Sequence, residues 1–164
     1  MTRTIELSTL AETEALARGM APHLRAGDAV GLSGPLGAGK TAFARALIGA
    51  RLAALGRAEE VPSPSYTLVQ TYDLDDVELW HADLYRLSDA SELAELGLED
   101  AFATAITFVE WPERLGRLRP ARRLDLDIAF RPERGAEART LRLAPSGGGW
   151  DWLDATLPAP ADAS

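Results

Sequence analysis

Gly34-Pro-Leu-Gly-Ala-Gly-Lys-Thr41 is the stretch of the sequence that decides the fold. It satisfies the pattern G-x-x-x-x-G-K-[ST], whose glycines allow backbone amides to face anionic oxygens. The apolar run Ala29–Ser33 before it is typical of a buried strand, and the Ala- and Leu-rich residues 42–55 after it favour a helix. This order of strand, loop and helix predicts an α/β domain of the P-loop NTPase-like type, with three layers and a mixed central sheet.

Two side chains of this motif carry the chemistry of a phosphate site. Lys40 is the only lysine of the sequence, although the chain contains many arginines. A compact ammonium fits between phosphate oxygens where a planar guanidinium does not, and the hydroxyl of Thr41 can ligate magnesium. We therefore predict that ATP and Mg²⁺ bind here. A glycine-rich turn before an ordinary helix is the alternative interpretation.

Carboxylates at the ends of apolar segments are the next candidates. Glu110 follows an apolar run, where a Walker-B acid lies near magnesium or the attacking water. Alternation along the preceding strand predicts that His81, Asp83 and Tyr85 share one face. We predict that Lys40, Asp83 and Glu110 are catalytic. Both carboxylates could instead be solvated strand ends, and His81 could be an acid/base or a buried structural histidine. Which carboxylate activates water stays open.

Capping, alternation and turn signals predict the remaining elements. Helices are expected over residues 9–20 and 88–96 and near Trp150. Strands are expected over residues 2–7, 66–72, 77–85, 105–109, 124–130 and 138–143. Turn-like residues 73–76 are expected to join two of these strands into a hairpin, and residues 131–135 to join the last two.

The composition limits what the chain can be. With 164 residues, 46% hydrophobic and 26% charged, it has the balance of one globular domain. We place this P-loop ATPase domain at residues 1–157 and a disordered tail at residues 158–164, which have little to bury. The net charge of −8 disfavours direct RNA binding. No apolar stretch is long enough to span a membrane and cysteine is absent, so a cytoplasmic location is expected.

Five blocks of the sequence occur in the order and at the spacing of a known family. The blocks are Gly37-Ala-Gly-Lys-Thr41, Ser63-Pro-Ser-Tyr-Thr-Leu-Val69, His81-Ala-Asp-Leu-Tyr-Arg-Leu87, Glu92-Leu-Ala-Glu-Leu-Gly-Leu-Glu-Asp100 and Val109-Glu-Trp-Pro-Glu113. On these blocks the chain resembles, over most of its length, the TsaE family of small bacterial ATPases in tRNA threonylcarbamoyladenosine biosynthesis. One departure is Pro35, which cannot donate an amide and replaces a residue that is usually acidic or polar.

The resemblance implies a function and a set of site residues. It implies an ATPase that hydrolyses ATP slowly on its own. The protein is implied to work with TsaB-like and TsaD-like partners in modifying adenosine 37 of tRNA, and to contact the tRNA through that complex rather than alone. By position, Thr41 and Glu110 are implied to hold magnesium, Asp83 to face the γ-phosphate region, and Leu10 to lie beside adenine. The residues implied to wrap the phosphates are Gly37, Ala38, Gly39, Lys40, Thr41 and Ala42.

Other assignments compete with these. A small-molecule P-loop kinase is the main alternative function, although no clear lid segment is present. A GTPase is disfavoured because the base-reading Asn-Lys-x-Asp motif needs a second lysine. Ser63, Ser65 and Thr67 could form a loop that senses the γ-phosphate, or a plain proline-stabilised turn. Trp111 could cover the nucleotide, contact a partner or simply pack at a strand exit. The arginines of residues 114–123 could form a solvated face or meet a negative partner.

Overall fold

The computed structural model describes residues 2–64, 67–89 and 91–158. Its strands are β1 (Arg3–Leu7), β2 (Ala29–Ser33), β3 (Val69–Asp73), β4 (Glu78–Asp83), β5 (Ile106–Glu110), β6 (Arg123–Phe130) and β7 (Arg139–Ser146). Its helices are α1 (Leu10–Met20), α2 (Lys40–Ala54), α3 (Ser91–Leu96), α4 (Leu98–Thr104) and α5 (Trp152–Thr156). Single 3-10 segments lie at Ala21–His23, Pro112–Leu118 and Pro132–Arg134.

The strands form one mixed sheet in the order β1-β7-β6-β2-β5-β4-β3. The central strand β2 runs parallel to both β5 and β6, and β4 runs parallel to β5. The outer strands pair antiparallel with their neighbours: β3 pairs with β4 on one side of the sheet, while β7 pairs with β6 and β1 on the other. The carboxyl ends of β2, β5 and β4 therefore meet at one edge of the sheet, where α/β proteins place their ligands.

Helices cover both faces of this sheet. On one face, α1 and α2 bury residues such as Met20, Phe43 and Leu47 against sheet residues that include Phe108. On the other face, α3, α4 and residues 112–118 pack in a smaller cluster around Val109. Adjacent strand residues point to opposite faces, so Phe108 and Val109 belong to different cores. The predicted three-layer α/β architecture is confirmed.

Most of the predicted elements appear within a few residues of their expected bounds. The predicted N-cap of α1 is present, since the amide of Glu12 donates to Thr9 Oγ1 over 3.1 Å, while Glu12 Oε2 accepts from the amide of Ser8, one residue before the cap. The predicted hairpin of β3 and β4 is antiparallel with Asp73 opposite Glu78. Helix α4 was not predicted. It begins directly after Gly97, whose φ of 79° separates it from α3 within a single residue.

Some expectations fall on residues outside the described ranges. These are the start of the strand predicted at residues 66–72, the part played by Ser65 in a sensing loop, and most of the tail predicted at residues 158–164. Among the residues described, no helix has both the length and the apolar composition to cross a membrane.

Candidate functional site

The candidate site is built on the carboxyl ends of three parallel strands. Register places Leu32 of β2 and Asp83 of β4 on either side of Glu110 at the end of β5. The glycine-rich loop, residues 34–39, leaves β2 at this same edge and leads into α2. Together these elements line an open cavity of about 350 Å³. The topology thus brings the loop and both predicted carboxylates to one place.

The loop depends on glycine at two positions. A Cβ on Gly34 would lie only 2.3 Å from the carbonyl oxygen of Ile128, so the loop could not pass β6 with a larger residue there. Gly39, the N-cap residue directly before α2, has a φ of 115° and has no side chain with which to cap the helix. The first-turn amides of α2, which lack helical acceptors, are therefore left for an anionic ligand.

Lys40 is enclosed by the loop that precedes it. Its side chain is buried, and its Nζ donates to the carbonyl oxygens of Gly34 at 2.6 Å and Pro35 at 3.0 Å. Burial lowers the pKa of Lys40, while the negative charges of Glu110 and Asp83 oppose that shift. The ammonium is thus held by carbonyl oxygens of the loop, and the charges of two nearby carboxylates act on it.

Thr41 and Glu110 are in direct contact. Thr41 Oγ1 donates to the Glu110 carboxylate, with distances of 2.8 Å to Oε1 and 3.0 Å to Oε2. His81 Nε2 lies 2.7 Å from Oε2 of the same carboxylate. Both Glu110 and His81 are buried. The sequence placed Glu110 and Thr41 at the site, but it left the part played by His81 open.

Asp83 ends β4 beside Glu110 and lines the cavity. Its amide donates to the carbonyl oxygen of Leu68 at 2.8 Å, and its Oδ1 accepts from the amide of Tyr85 at 3.0 Å. The prediction that Tyr85 shares the strand face of His81 and Asp83 is wrong. Strand β4 stops at Asp83, the chain turns, and Tyr85 becomes an exposed aromatic at the rim of the cavity.

Trp111 has a left-handed backbone conformation that the amino-acid sequence does not predict. It lies in the left-handed region with φ 60° and ψ 53°, directly after β5. Such a conformation is costly for a residue with a Cβ. Its ring lies 4.3 Å from Lys40 Nζ and 5.0 Å from the ring of Tyr85. The turn therefore lays an aromatic side chain over the ammonium.

Five of the six residues predicted to wrap the phosphates line the cavity: Gly37, Gly39, Lys40, Thr41 and Ala42. Ala38 is buried, and its carbonyl oxygen accepts from Arg139 Nε at 2.8 Å. Leu10 is not among the described residues that line this cavity. It is an exposed residue at the start of α1, and its amide donates to Glu137 Oε1 at 3.1 Å. Its placement beside adenine stays a prediction.

Two other groups of candidate residues, Thr67 of the proposed sensing loop and the arginines of residues 114–123, make local or internal contacts. Thr67 accepts a hydrogen bond from Gln70 Nε2 at 2.9 Å, which is local turn chemistry. The arginines of residues 114–123 largely pair within the fold: Arg119 and Arg123 contact Asp125, and Arg122 contacts Asp28. Three of these arginines therefore contact acidic residues of the same chain, an arrangement that neither sequence alternative described.

A sheet with these parallel strands and a glycine loop leading into α2 defines a P-loop NTPase-like protein. The model of the family "Threonylcarbamoyl adenosine biosynthesis protein TsaE" matches residues 7–140. The tRNA threonylcarbamoyladenosine biosynthesis protein TsaE of Rickettsia bellii is 35% identical over 74% of this chain and 83% of its own length. The protein of the same name from Rickettsia conorii is 38% identical over 68% of this chain, and the match spans 62% of that relative.

A solved structure agrees with these matches. The crystal structure of Bacillus subtilis YdiB superposes with a TM-score of 0.74 at 26% identity, covering 94% of this chain and 93% of that one. The chain belongs to the TsaE family, whose role is in tRNA threonylcarbamoyladenosine biosynthesis. The family resemblance read from the five sequence blocks is confirmed.

Proposed function

We propose that this protein binds Mg·ATP at the loop of residues 34–41 and hydrolyses it, and that this cycle supports TsaB-like and TsaD-like partners in modifying adenosine 37 of tRNA. The observation that carries the ATP proposal is the contact of Thr41 with Glu110 beside the buried ammonium of Lys40. A hydroxyl, a carboxylate and a lysine at the start of a helix are the donor set of a magnesium–phosphate site.

The described residues fit this ligand. Lys40 supplies the positive charge, and the uncapped amides at the start of α2 supply donors for phosphate oxygens. Hard cations such as Mg²⁺ favour oxygen ligands and are commonly held by one or two protein oxygens together with substrate phosphates. Thr41 and Glu110 would be these protein ligands. When bound, Mg²⁺ would neutralise charge on the phosphate oxygens.

Each side chain then has a defined task. Lys40 leaves the carbonyl oxygens of the loop and turns its ammonium towards phosphate. Asp83 and Glu110, adjacent at the ends of β4 and β5, orient the attacking water and accept its proton at a carboxylate oxygen. Trp111 and Tyr85 lie at the rim of the same cavity and limit the access of bulk water.

Calorimetry on the free protein tests the ATP proposal. We expect ATP and ADP to bind one site, with an affinity that increases when Mg²⁺ is added, and we expect slow release of inorganic phosphate from ATP. Equal or absent nucleotide binding with and without Mg²⁺ would contradict the proposal. Transfer of phosphate to a small-molecule acceptor rather than to water would indicate a kinase instead.

A second titration tests the partner proposal. The purified TsaB–TsaD pair is titrated with this protein, with and without a non-hydrolysable ATP analogue. A pair that prefers the ATP-bound surface must tighten ATP binding by the same factor, commonly 5- to 150-fold where coupling is substantial. Equal affinity in both conditions, with ATPase unchanged by the pair, would remove the case for nucleotide-gated assembly and leave the phosphate site intact.

A further inference from the structure

His81 is a fully buried histidine that contacts the candidate site from behind. It lies on β4 two residues before Asp83, and its Nε2 is 2.7 Å from Glu110 Oε2. The side chain does not line the cavity in the described part of the chain. His81 can therefore act on a ligand only through Glu110.

The hydrogen bonding of the ring assigns its tautomer. Nδ1 of His81 is buried and has no hydrogen-bond partner among the described residues. A hydrogen on Nδ1 would leave a buried donor unsatisfied and would also direct the lone pair of Nε2 at a carboxylate oxygen. A hydrogen on Nε2 leaves only an unfilled acceptor and gives Glu110 a good donor. The geometry therefore favours the Nε2–H tautomer.

Glu110 then accepts two hydrogen bonds from opposite neighbours. Thr41 Oγ1 donates on one side and His81 Nε2 on the other, and both reach Oε2. A carboxylate held by His81 keeps a fixed orientation, and it fixes in turn the direction in which the hydroxyl hydrogen of Thr41 points. The lone pairs of that hydroxyl are then free for a cation.

We propose that His81 is a positioning residue that holds Glu110 so that the hydroxyl of Thr41 presents its lone pairs to Mg²⁺. This rests on the proposed function, because it needs the cation to bind at Thr41 and Glu110. Residues that orient metal ligands through hydrogen bonds commonly change metal affinity or activity by 10- to 100-fold when they are replaced. A histidine that only fills the core would change folding stability and leave the magnesium dependence alone.

The first test needs neither nucleotide nor metal. The chain contains two histidines, and His23 stacks on Trp152 at 5.0 Å, away from the site. Nitrogen-15 NMR of the imidazoles, assigned with His23→Gln, is expected to show His81 as a single Nε2–H tautomer. A hydrogen on Nδ1, or averaging between the tautomers, would overturn the proposed contact.

The second test compares two replacements of His81. His81→Gln places an amide N–H near the position of Nε2, whereas His81→Met has similar length but no donor. We expect His81→Met to need an Mg²⁺ concentration about 10-fold higher than wild type on two measures. The first is the increase in ADP affinity that Mg²⁺ produces, measured by calorimetry, and the second is half-maximal ATPase activity. His81→Gln is expected to remain within about threefold of wild type on both measures. ADP affinity without Mg²⁺ should be the same in all three proteins.

A matched control comes from the neighbouring strand. Thr107 on β5 is also buried, and its hydroxyl lacks a hydrogen-bond partner among the described residues. Thr107→Val should leave the magnesium dependence unchanged. Equal magnesium dependence in His81→Gln and His81→Met would overturn the positioning role. A change in the required Mg²⁺ concentration that follows the melting temperature across all variants would overturn it as well.

The outcomes separate this inference from the proposed function. If the wild-type protein shows no magnesium-dependent nucleotide binding, the proposed function fails and the positioning role fails with it. If the wild type behaves as proposed and the two His81 variants match each other, only the positioning role fails. If His81→Met does not fold, His81→Leu replaces it as the variant without a donor, and the NMR result still tests the contact with Glu110.

Discussion

Two clusters of polar and charged side chains lie at different parts of the sheet, and they differ in their exposure to water. The site cluster consists of Lys40, His81, Asp83 and Glu110, which lie near the carboxyl ends of the parallel strands and have residue exposures of 0–8%. The edge cluster consists of Glu6, Arg131 and Arg134 around the antiparallel strands β1 and β7, with side-chain exposures of 34–60%. Charged groups therefore have very different energetic consequences in the two places.

The difference arises from desolvation. A buried charge loses its water and must be matched by hydrogen bonds or an opposite charge, so removing one member leaves the others uncompensated. An exposed pair keeps most of its hydration, and its attraction is commonly worth about 0–1 kcal/mol. The site cluster is costly to bury and is suited to a charged ligand, whereas the edge cluster contributes little to stability. Substitutions in and around the two clusters test that contrast.

The largest effect is expected at Lys40. Lys40→Ala removes the buried ammonium that the loop encloses, and we expect ADP affinity to fall by about 1.5–3 kcal/mol, roughly 10- to 150-fold, with no measurable turnover. Lys40→Arg should fail as well, because the larger planar group must displace the loop or the phosphate. Calorimetry and phosphate release measure both. Normal affinity and turnover in both variants would refute the phosphate site.

The next effect concerns the two carboxylates. Glu110→Gln and Asp83→Asn keep shape but remove negative charge, so we expect nucleotide binding to persist while turnover falls about 100-fold or more. The pair is adjacent across β4 and β5, so the effects should be strongly non-additive if both act on one water. Single-turnover kinetics of the double variant decide this. A loss equal to the product of the single losses would indicate independent structural roles.

A smaller effect is expected at Arg139, where the antiparallel strand β7 contacts the glycine-rich loop. Arg139 of β7 donates to the carbonyl oxygen of Ala38 and so holds the peptide group between Ala38 and Gly39 in the loop. Arg139→Gln should weaken ADP binding by about 1 kcal/mol, roughly fivefold, with little change in turnover at saturation. Arg142→Gln is the matched control, because Arg142 is an exposed residue of the same strand. Equal affinities of the two variants would contradict this.

The smallest effect is expected at Glu6. Burial alone would raise the pKa of Glu6, but hydrogen bonds from Arg131 and Thr140 and the charges of Arg131 and Arg134 outweigh it and leave the pKa below its ordinary value. The stabilisation is therefore complete above the unfolded pKa and is lost as pH falls through the folded one. Glu6→Gln should cost less than about 1 kcal/mol at neutral pH.

Denaturant unfolding of wild type and Glu6→Gln at neutral and acidic pH measures this difference. The gap in unfolding free energy between the two proteins should narrow as the solution becomes acidic. A gap that widens in acid, or one as large as those expected in the site cluster, would remove the contrast between the two clusters.

Local sequence signals predicted most of the fold. Residues 29–33 form a strand with the predicted bounds, because four apolar or small residues in a row before a glycine loop have few alternatives. The N-cap of α1 and the turn between β3 and β4 were also predicted, since their hydrogen bonds are made within a few residues. Helix α4 was missed because Gly97 both ends α3 and precedes α4, and a helix stop signal carries no information about the residues beyond it.

The contacts missed from the sequence join residues that are distant along the chain. His81 and Glu110 are 29 residues apart, and Arg139 and Ala38 are 101 residues apart. Strand order and register decide such contacts, and neither is written in a local pattern. The conformation of Trp111 is of the same kind, because its amide bonds to Leu32 on another strand and the packing there holds a backbone that the residue alone would disfavour.

The sequence by itself determined the loop, the strand before it, the helix after it and the residue types of the site, because these depend on glycine geometry and on the chemistry of single side chains. The tertiary structure alone decided how these parts act together. It buried Lys40 under Trp111, joined Thr41 to Glu110 and set His81 behind them, because parallel pairing of β2, β4 and β5 brings their carboxyl ends to one edge. Side-chain chemistry is local, whereas the desolvation and alignment that tune it are produced by packing.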